Sequence, residues 1–169
     1  MKLFKHVLLA LAVVFCVNAQ AQRLPVPIID FKNVPVSASV TKPVTADDVR
    51  KAFLRAAAVQ HWVLTPVSEG VMEAQFVKNN KHTVVATVTY SADSYSVQYK
   101  SSIDMKYEEN AFKSRPLEQA AQKQKEQFVA DPLTRFAVLH REGAVLHPFY
   151  EGWVRQLLAG VSAELKAAS

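Results

Sequence analysis

The chain has 169 residues, half of them hydrophobic, with 4 glycines and a single cysteine. That length supports one domain with a substantial core, and so few glycines exclude a phosphate loop or a dinucleotide fingerprint, so no cofactor is expected. The formal charge of +5 is too mild to mark a nucleic-acid binder.

Residues 1–21 read as a secretory signal. Lys2 and Lys5 form a basic start, residues 7–17 an apolar run too short to span a bilayer, and Ala19-Gln20-Ala21 a small-x-small cleavage pattern. Cleavage between Ala21 and Gln22 would place the mature chain in the periplasm or outside the cell and lower its formal charge to +3. Cys16 lies inside the apolar run, so the mature chain would have no disulfide, zinc–thiolate site or thiol nucleophile. Phe15 is too bulky for the residue before a lipid-accepting cysteine, so lipid anchoring at Cys16 is not expected.

Residues 22–44 carry Pro25, Pro27, Pro35 and Pro43 and read as an extended lead-in or spacer, with Ile28 and Ile29 apolar enough for an edge strand. Thr45 caps a helix with Asp47 and Asp48 in its first turn; Val49, Phe53, Ala56 and Ala57 make one face apolar, and it should end near His61. Strands follow over 62–67, 71–77, 83–90 and from Tyr95 to Tyr99, divided by turns at Ser68-Glu69-Gly70, 78–81 and 91–94. Met72, Ala74 and Phe76 alternate with Glu73 and Gln75, and Tyr95, Val97 and Tyr99 with Ser96 and Gln98, so one sheet face is apolar.

Residues 108–145 read as a helical insertion. Residues 117–129 have a helical composition, and Asp131-Pro132 starts a second short helix with Leu133, Phe136, Ala137 and His140 on one side, ended by Gly143. The last helix starts at His147-Pro148, with Phe149, Trp153, Leu157, Val161 and Leu165 as its apolar stripe, widened by Val154 and Leu158. The expected fold is α+β in two layers: an antiparallel meander of about four strands, an N-terminal and a C-terminal helix on one face, and the insertion before the last helix. Residues 45–169 form a single domain, without a transmembrane segment in the mature chain.

Two stretches carry a resemblance. Residues 146–157, with Leu146, His147, Tyr150, Trp153 and Leu157, resemble the Leu/Ile-His-x-x-Tyr-x-x-Trp-x-x-x-Leu last-helix signature of small uncharacterised proteobacterial periplasmic proteins and lipoproteins. Tyr99, Ser102 and Tyr107 resemble the Tyr-x-x-Ser and final Tyr of that family's strand. The resemblance implies a helix, an antiparallel meander and a final helix in an exported protein; it carries no activity and no catalytic residues. His61 stands where that pattern often has glycine, and the 108–145 insertion separates motifs that are usually close.

His147, at a helix start, has the position to orient a ligand or donate a proton; its structural alternative is to fix the loop by bonding nearby backbone or Ser102. Tyr107 and Tyr150 are the surface candidates for a sugar or peptide, whereas Tyr99 and Trp153 fall on core-facing positions. His140, Glu142 and His147 match no metal-ligand spacing, so no metal is expected. Lys113, Arg115, Lys123 and Lys125, interleaved with Glu118, read as a solvated helix face or as a contact for anionic lipid or wall polymer.

The expected function is a non-catalytic binding or accessory module meeting an unknown envelope protein or cell-wall component. Its candidate binding residues are His147, Tyr150, Tyr107 and Ser102, with the insertion and the Pro-rich arm as partner surfaces. The alternative is a small hydrolase-like envelope enzyme using His147 as acid or base, with Tyr107 or Tyr150 assisting. A third reading is a structural subunit that self-associates.

Overall fold

The computed structural model describes residues 24–111, 123, 126, 129–141 and 143–169. The expected signal, its Ala21–Gln22 cleavage site and Cys16 lie outside the described residues, as do Lys113, Arg115, Glu118, Lys125 and Glu142. Of the expected 117–129 helix, Lys123 and Glu126 are described as helical and exposed.

Strands β1 (Val26–Pro27) and β2 (Ile29–Pro35) precede α1 (Ala46–Val59). Then come β3 (Trp62–Ser68), β4 (Val71–Lys78), β5 (His82–Tyr90) and β6 (Ser94–Ile103). After the 108–145 region's short strands β7 (Ala137–Leu139) and β8 (Val145–Leu146), α2 (Phe149–Ala168) closes the chain. The fold is α+β, with a six-stranded antiparallel sheet in the order β3-β4-β5-β6-β2-β7 and a two-stranded sheet pairing β1 with β8. The expected four-stranded meander is β3 to β6.

Alternation sets the layers. Met72, Ala74 and Phe76 on β4, Val84, Ala86 and Val88 on β5, and Tyr95, Val97 and Tyr99 on β6 are buried in one core with both helices. The connection after β4 uses Asn79 and Asn80 at φ 55 and 52, left-handed backbone that asparagine tolerates. Thr45 caps α1 through a complete capping box: its hydroxyl accepts the Asp48 N–H at 3.2 Å, and the Asp48 carboxylate accepts the Thr45 N–H at 2.9 Å. The helices approach closely at Gly160, where an added Cβ would stand 3.1 Å from the Ala56 Cβ.

Three expectations change. Of the expected 22–44 spacer, the described residues 24–44 are no spacer, and their strand is no edge: β2 lies inside the sheet, between β6 and β7, and Ile28, Phe31, Val34 and Val36 belong to the core. The apolar residues between the prolines are numerous enough to fill core positions, and Pro27 and Pro35 fall at strand ends, where a missing N–H is tolerated. The short helix after Asp131 stops after one 3-10 turn, Pro132–Phe136, and the chain extends as β7 along β2, pairing Asp30 with Val138. In α2 the buried face is turned toward Tyr150, Val154, Leu157, Leu158, Val161 and Leu165; Phe149 is 42% exposed and Trp153 half-buried. Among the described residues no helix is long and apolar enough to cross a membrane.

Candidate functional site

Asp30 stands alone as a charge in the apolar run Ile28-Ile29-Asp30-Phe31, and it is only 1% exposed. A buried carboxylate requires partners, since desolvation otherwise costs several kcal/mol. It has two. The β2–β6 backbone register ends at Phe31↔Val97, and beyond it one carboxylate oxygen accepts the Tyr99 N–H at 2.8 Å, so the side chain replaces a ladder acceptor. The other oxygen lies 2.9 Å from His140 Nδ1. His140 is fixed further by its own N–H, which donates to the Ile28 carbonyl at 2.9 Å. Its side chain is 17% exposed, so this pair reaches the surface at the histidine end.

Tyr99 is the hub of an aromatic cluster. Its ring stacks with Tyr107 at 5.7 Å between centroids and 13° between planes. It meets His140 and Tyr150 edge-on, at 5.3 Å and 79° and at 5.5 Å and 86°. Its hydroxyl shares a 2.9 Å hydrogen bond with Ser102. Burial pushes the Tyr99 phenol above its ordinary value, opposed by the Ser102 bond. Tyr107 covers the cluster yet remains 40% exposed.

The loop that carries Tyr107 is strained and anchored. Asp104 and Lys106 adopt φ of 54 and 53, on either side of a buried Met105. His82 Nδ1 lies 2.7 Å from the Asp104 carbonyl oxygen, and the Met105 carbonyl accepts the His147 N–H at 2.8 Å. Glu108 then forms a bridge with Val145, and the Ala111 N–H donates to the Gly143 carbonyl at 3.0 Å, pinning the two ends of the insertion to each other.

A buried charge network supports this region from below. Arg155 donates to Glu151 at 2.9 and 2.7 Å and to Asp131 at 2.7 Å, and its guanidinium sits 4.9 Å from the centre of the Phe31 ring. Asp131 also accepts the Leu133 N–H at 2.9 Å, so one residue of α2 holds the chain where it returns toward β7.

The candidates named from sequence divide. Ser102, Tyr107 and Tyr150 are brought together around Tyr99. Tyr150, expected at the surface, is instead 1% exposed, because the turned face of α2 places its ring edge-on against Tyr99. Its hydroxyl has no hydrogen-bond partner among the described residues, and burial, with Asp30, Tyr99 and Glu151 nearby, pushes its ionisation well above the ordinary phenol value. His147 stands at the start of α2 with its ring 4.5 Å from that of Phe149, and its Nδ1 accepts the Phe149 N–H at 3.3 Å. This is work an N-cap side chain performs, at a helix whose cap residue is Pro148. The bond to nearby backbone expected for His147 is thus present, while the Ser102 hydroxyl bonds Tyr99.

Asp30 and His140 as a pair escaped sequence reading, although an aspartate inside an apolar run was a visible signal. Glu151 and Arg155, at i,i+4 spacing, were equally visible as a pair, but their burial was not. Among the described residues no group of three His, Cys, Asp or Glu side chains converges to hold a metal ion. No protein-family model matches the chain, and comparison with curated proteins and with solved structures gives no match.

Proposed function

We propose that this chain is an exported, non-catalytic binding or accessory module of the cell envelope, and that its contact surface is the patch of Tyr107, Tyr99, Ser102 and His140. The observation that carries this reading is Tyr107: a loop with two left-handed non-glycine residues holds a large aromatic ring in a stack on Tyr99 and leaves it 40% exposed. Left-handed backbone is tolerated by Asp104 and costs about 1–2 kcal/mol at Lys106, and strain of that kind is found where geometry serves binding. The lead-in no longer recommends itself as a partner surface, because its apolar residues are in the core. The partner remains an envelope protein or a cell-wall component, as the expected signal implies; no nucleic acid is invoked.

A photo-crosslinking residue at position 107, expressed in the native envelope, tests this reading against the same residue at position 51, an exposed lysine of α1. A discrete adduct from 107 and not from 51 is expected. The same adduct pattern from both positions would refute a dedicated surface at Tyr107.

One observation favours the enzymatic alternative, and it moves the base from His147 to His140. A histidine whose Nδ1 is held by a buried carboxylate keeps Nε2 for proton transfer, the arrangement used in acid–base dyads. A hydrolytic activity abolished by His140→Gln and retained in His147→Ala would replace the binding reading.

A further inference from the structure

We infer that the Tyr107 patch recognises a neutral glycan built of equatorially substituted pyranose rings; this rests on the binding reading and specifies its ligand class. The first argument is shape. Tyr107 and Tyr99 lie nearly parallel and offset, with 13° between planes and 5.7 Å between centroids, so Tyr99 holds the orientation of the Tyr107 ring while 40% of that residue stays exposed. A rigid, solvent-facing phenol ring offers a flat, weakly negative surface. An equatorially substituted pyranose presents axial C–H groups on its faces and hydroxyls around its rim, which complements that surface with little loss of freedom on either side.

The second argument is hydrogen bonding beside the platform. His140 packs against the Tyr99 ring at 5.3 Å, as Tyr107 does at 5.7 Å, so both border the same ring. With Nδ1 held by Asp30, the remaining ring nitrogen of a neutral His140 is an acceptor suited to a ligand hydroxyl. The Tyr99–Ser102 hydroxyl pair, part-buried at the phenol end of the same ring, can both donate and accept. This set matches an alcohol better than a carboxylate or an ammonium.

The third argument is charge. Lys106 and Glu108 flank Tyr107 in the chain with opposite signs, and Arg141, next to His140, is paired with Glu109 at 3.0 Å. Asp30 carries its charge 1% exposed, behind His140. Among the described residues no single sign dominates the rim, so they offer a strongly anionic or cationic polymer no net attraction.

The test is a titration of the isotopically labelled protein with chitotetraose and with cellotetraose, followed through backbone amide shifts. Saturable shifts centred on Ser102, Tyr107 and His140 are expected with at least one of the two. Tyr107→Ala, which also gives up the ring contact with Tyr99 and should lower Tm by a few degrees at about 2–4 °C per kcal/mol, should weaken that binding about ten-fold or more in protein that is still folded, and Tyr107→Phe should retain both binding and stability. Absence of saturable shifts with both oligosaccharides overturns the glycan assignment, as do shifts insensitive to Tyr107→Ala. In that case a discrete protein adduct from the position-107 crosslinker would keep the binding reading and make its partner a protein, whereas no specific adduct would remove both.

Discussion

Replacing Tyr150 by phenylalanine should stabilise this protein, although most substitutions of fully buried residues do the opposite. The Tyr150 ring packs edge-on against Tyr99 at 5.5 Å, and phenylalanine keeps that contact and the surrounding packing. What the substitution removes is a hydroxyl that is buried, without a hydrogen-bond partner among the described residues. A buried polar group left unsatisfied costs about 1–3 kcal/mol, so its loss should return stability of that order. For a chain of this length each kcal/mol moves Tm by about 2–4 °C. Urea unfolding and thermal melts of Tyr150→Phe should therefore show a higher midpoint at unchanged m. Tyr99→Phe supplies the internal contrast: it loses the 2.9 Å bond with Ser102 and should lower stability by about 1 kcal/mol. The two substitutions are chemically identical and sit in contact, so opposite signs would isolate the hydrogen bond as the cause. A loss of stability of about 1 kcal/mol or more in Tyr150→Phe would refute the reasoning and show that the folded protein satisfies this hydroxyl.

Asp30→Ala takes the acceptor from both the Tyr99 N–H and His140, at about 1–3 kcal/mol for each buried donor, and should lower the urea midpoint more than His140→Ala does. Arg155→Ala removes the guanidinium from Glu151 and Asp131 and should cost about 3–5 kcal/mol by chemical denaturation, with Arg155→Met paired with Glu151→Leu recovering part of the loss. Burial pushes the Tyr95 phenol up to about 12 from its ordinary 10.0. The folded state therefore favours the protonated phenol: that contribution is complete below pH 10.0 and lost as pH rises toward about 12. A pH titration of stability should fall across that window, and the fall should be smaller in Tyr95→Phe.

The meander and both long helices were legible because each rests on local pattern. Period-two alternation from Met72 to Tyr99 and the Thr45 cap with Asp47 and Asp48 behind it need no distant partner to be recognised. The added strands were not, because β7 has only 3 residues, and around β2 Pro27 and Pro35 argue locally for coil; what makes β2 a strand is its two neighbours, β6 and β7. Tyr107 and Ser102 were readable as candidates, but Asp30 and His140 become a pair only through that same tertiary arrangement. Tyr150 was misplaced because helical spacing identifies a face while leaving its rotation open by about one residue, and the Tyr99 edge decides between them.

The pairing of β2 with both β6 and β7 also sets an order of assembly. Strands β3 to β6 join neighbours along the chain, whereas the Tyr99–Asp30 bond spans 69 residues and the His140–Asp30 contact spans 110. Closing such loops costs chain entropy before any contact compensates it, so the meander should form early and the N-terminal strand should dock late. On the binding reading, the Tyr107 patch exists as a unit only in chains whose N-terminal strand has docked, so a ligand of that patch would select fully folded copies over partly folded ones.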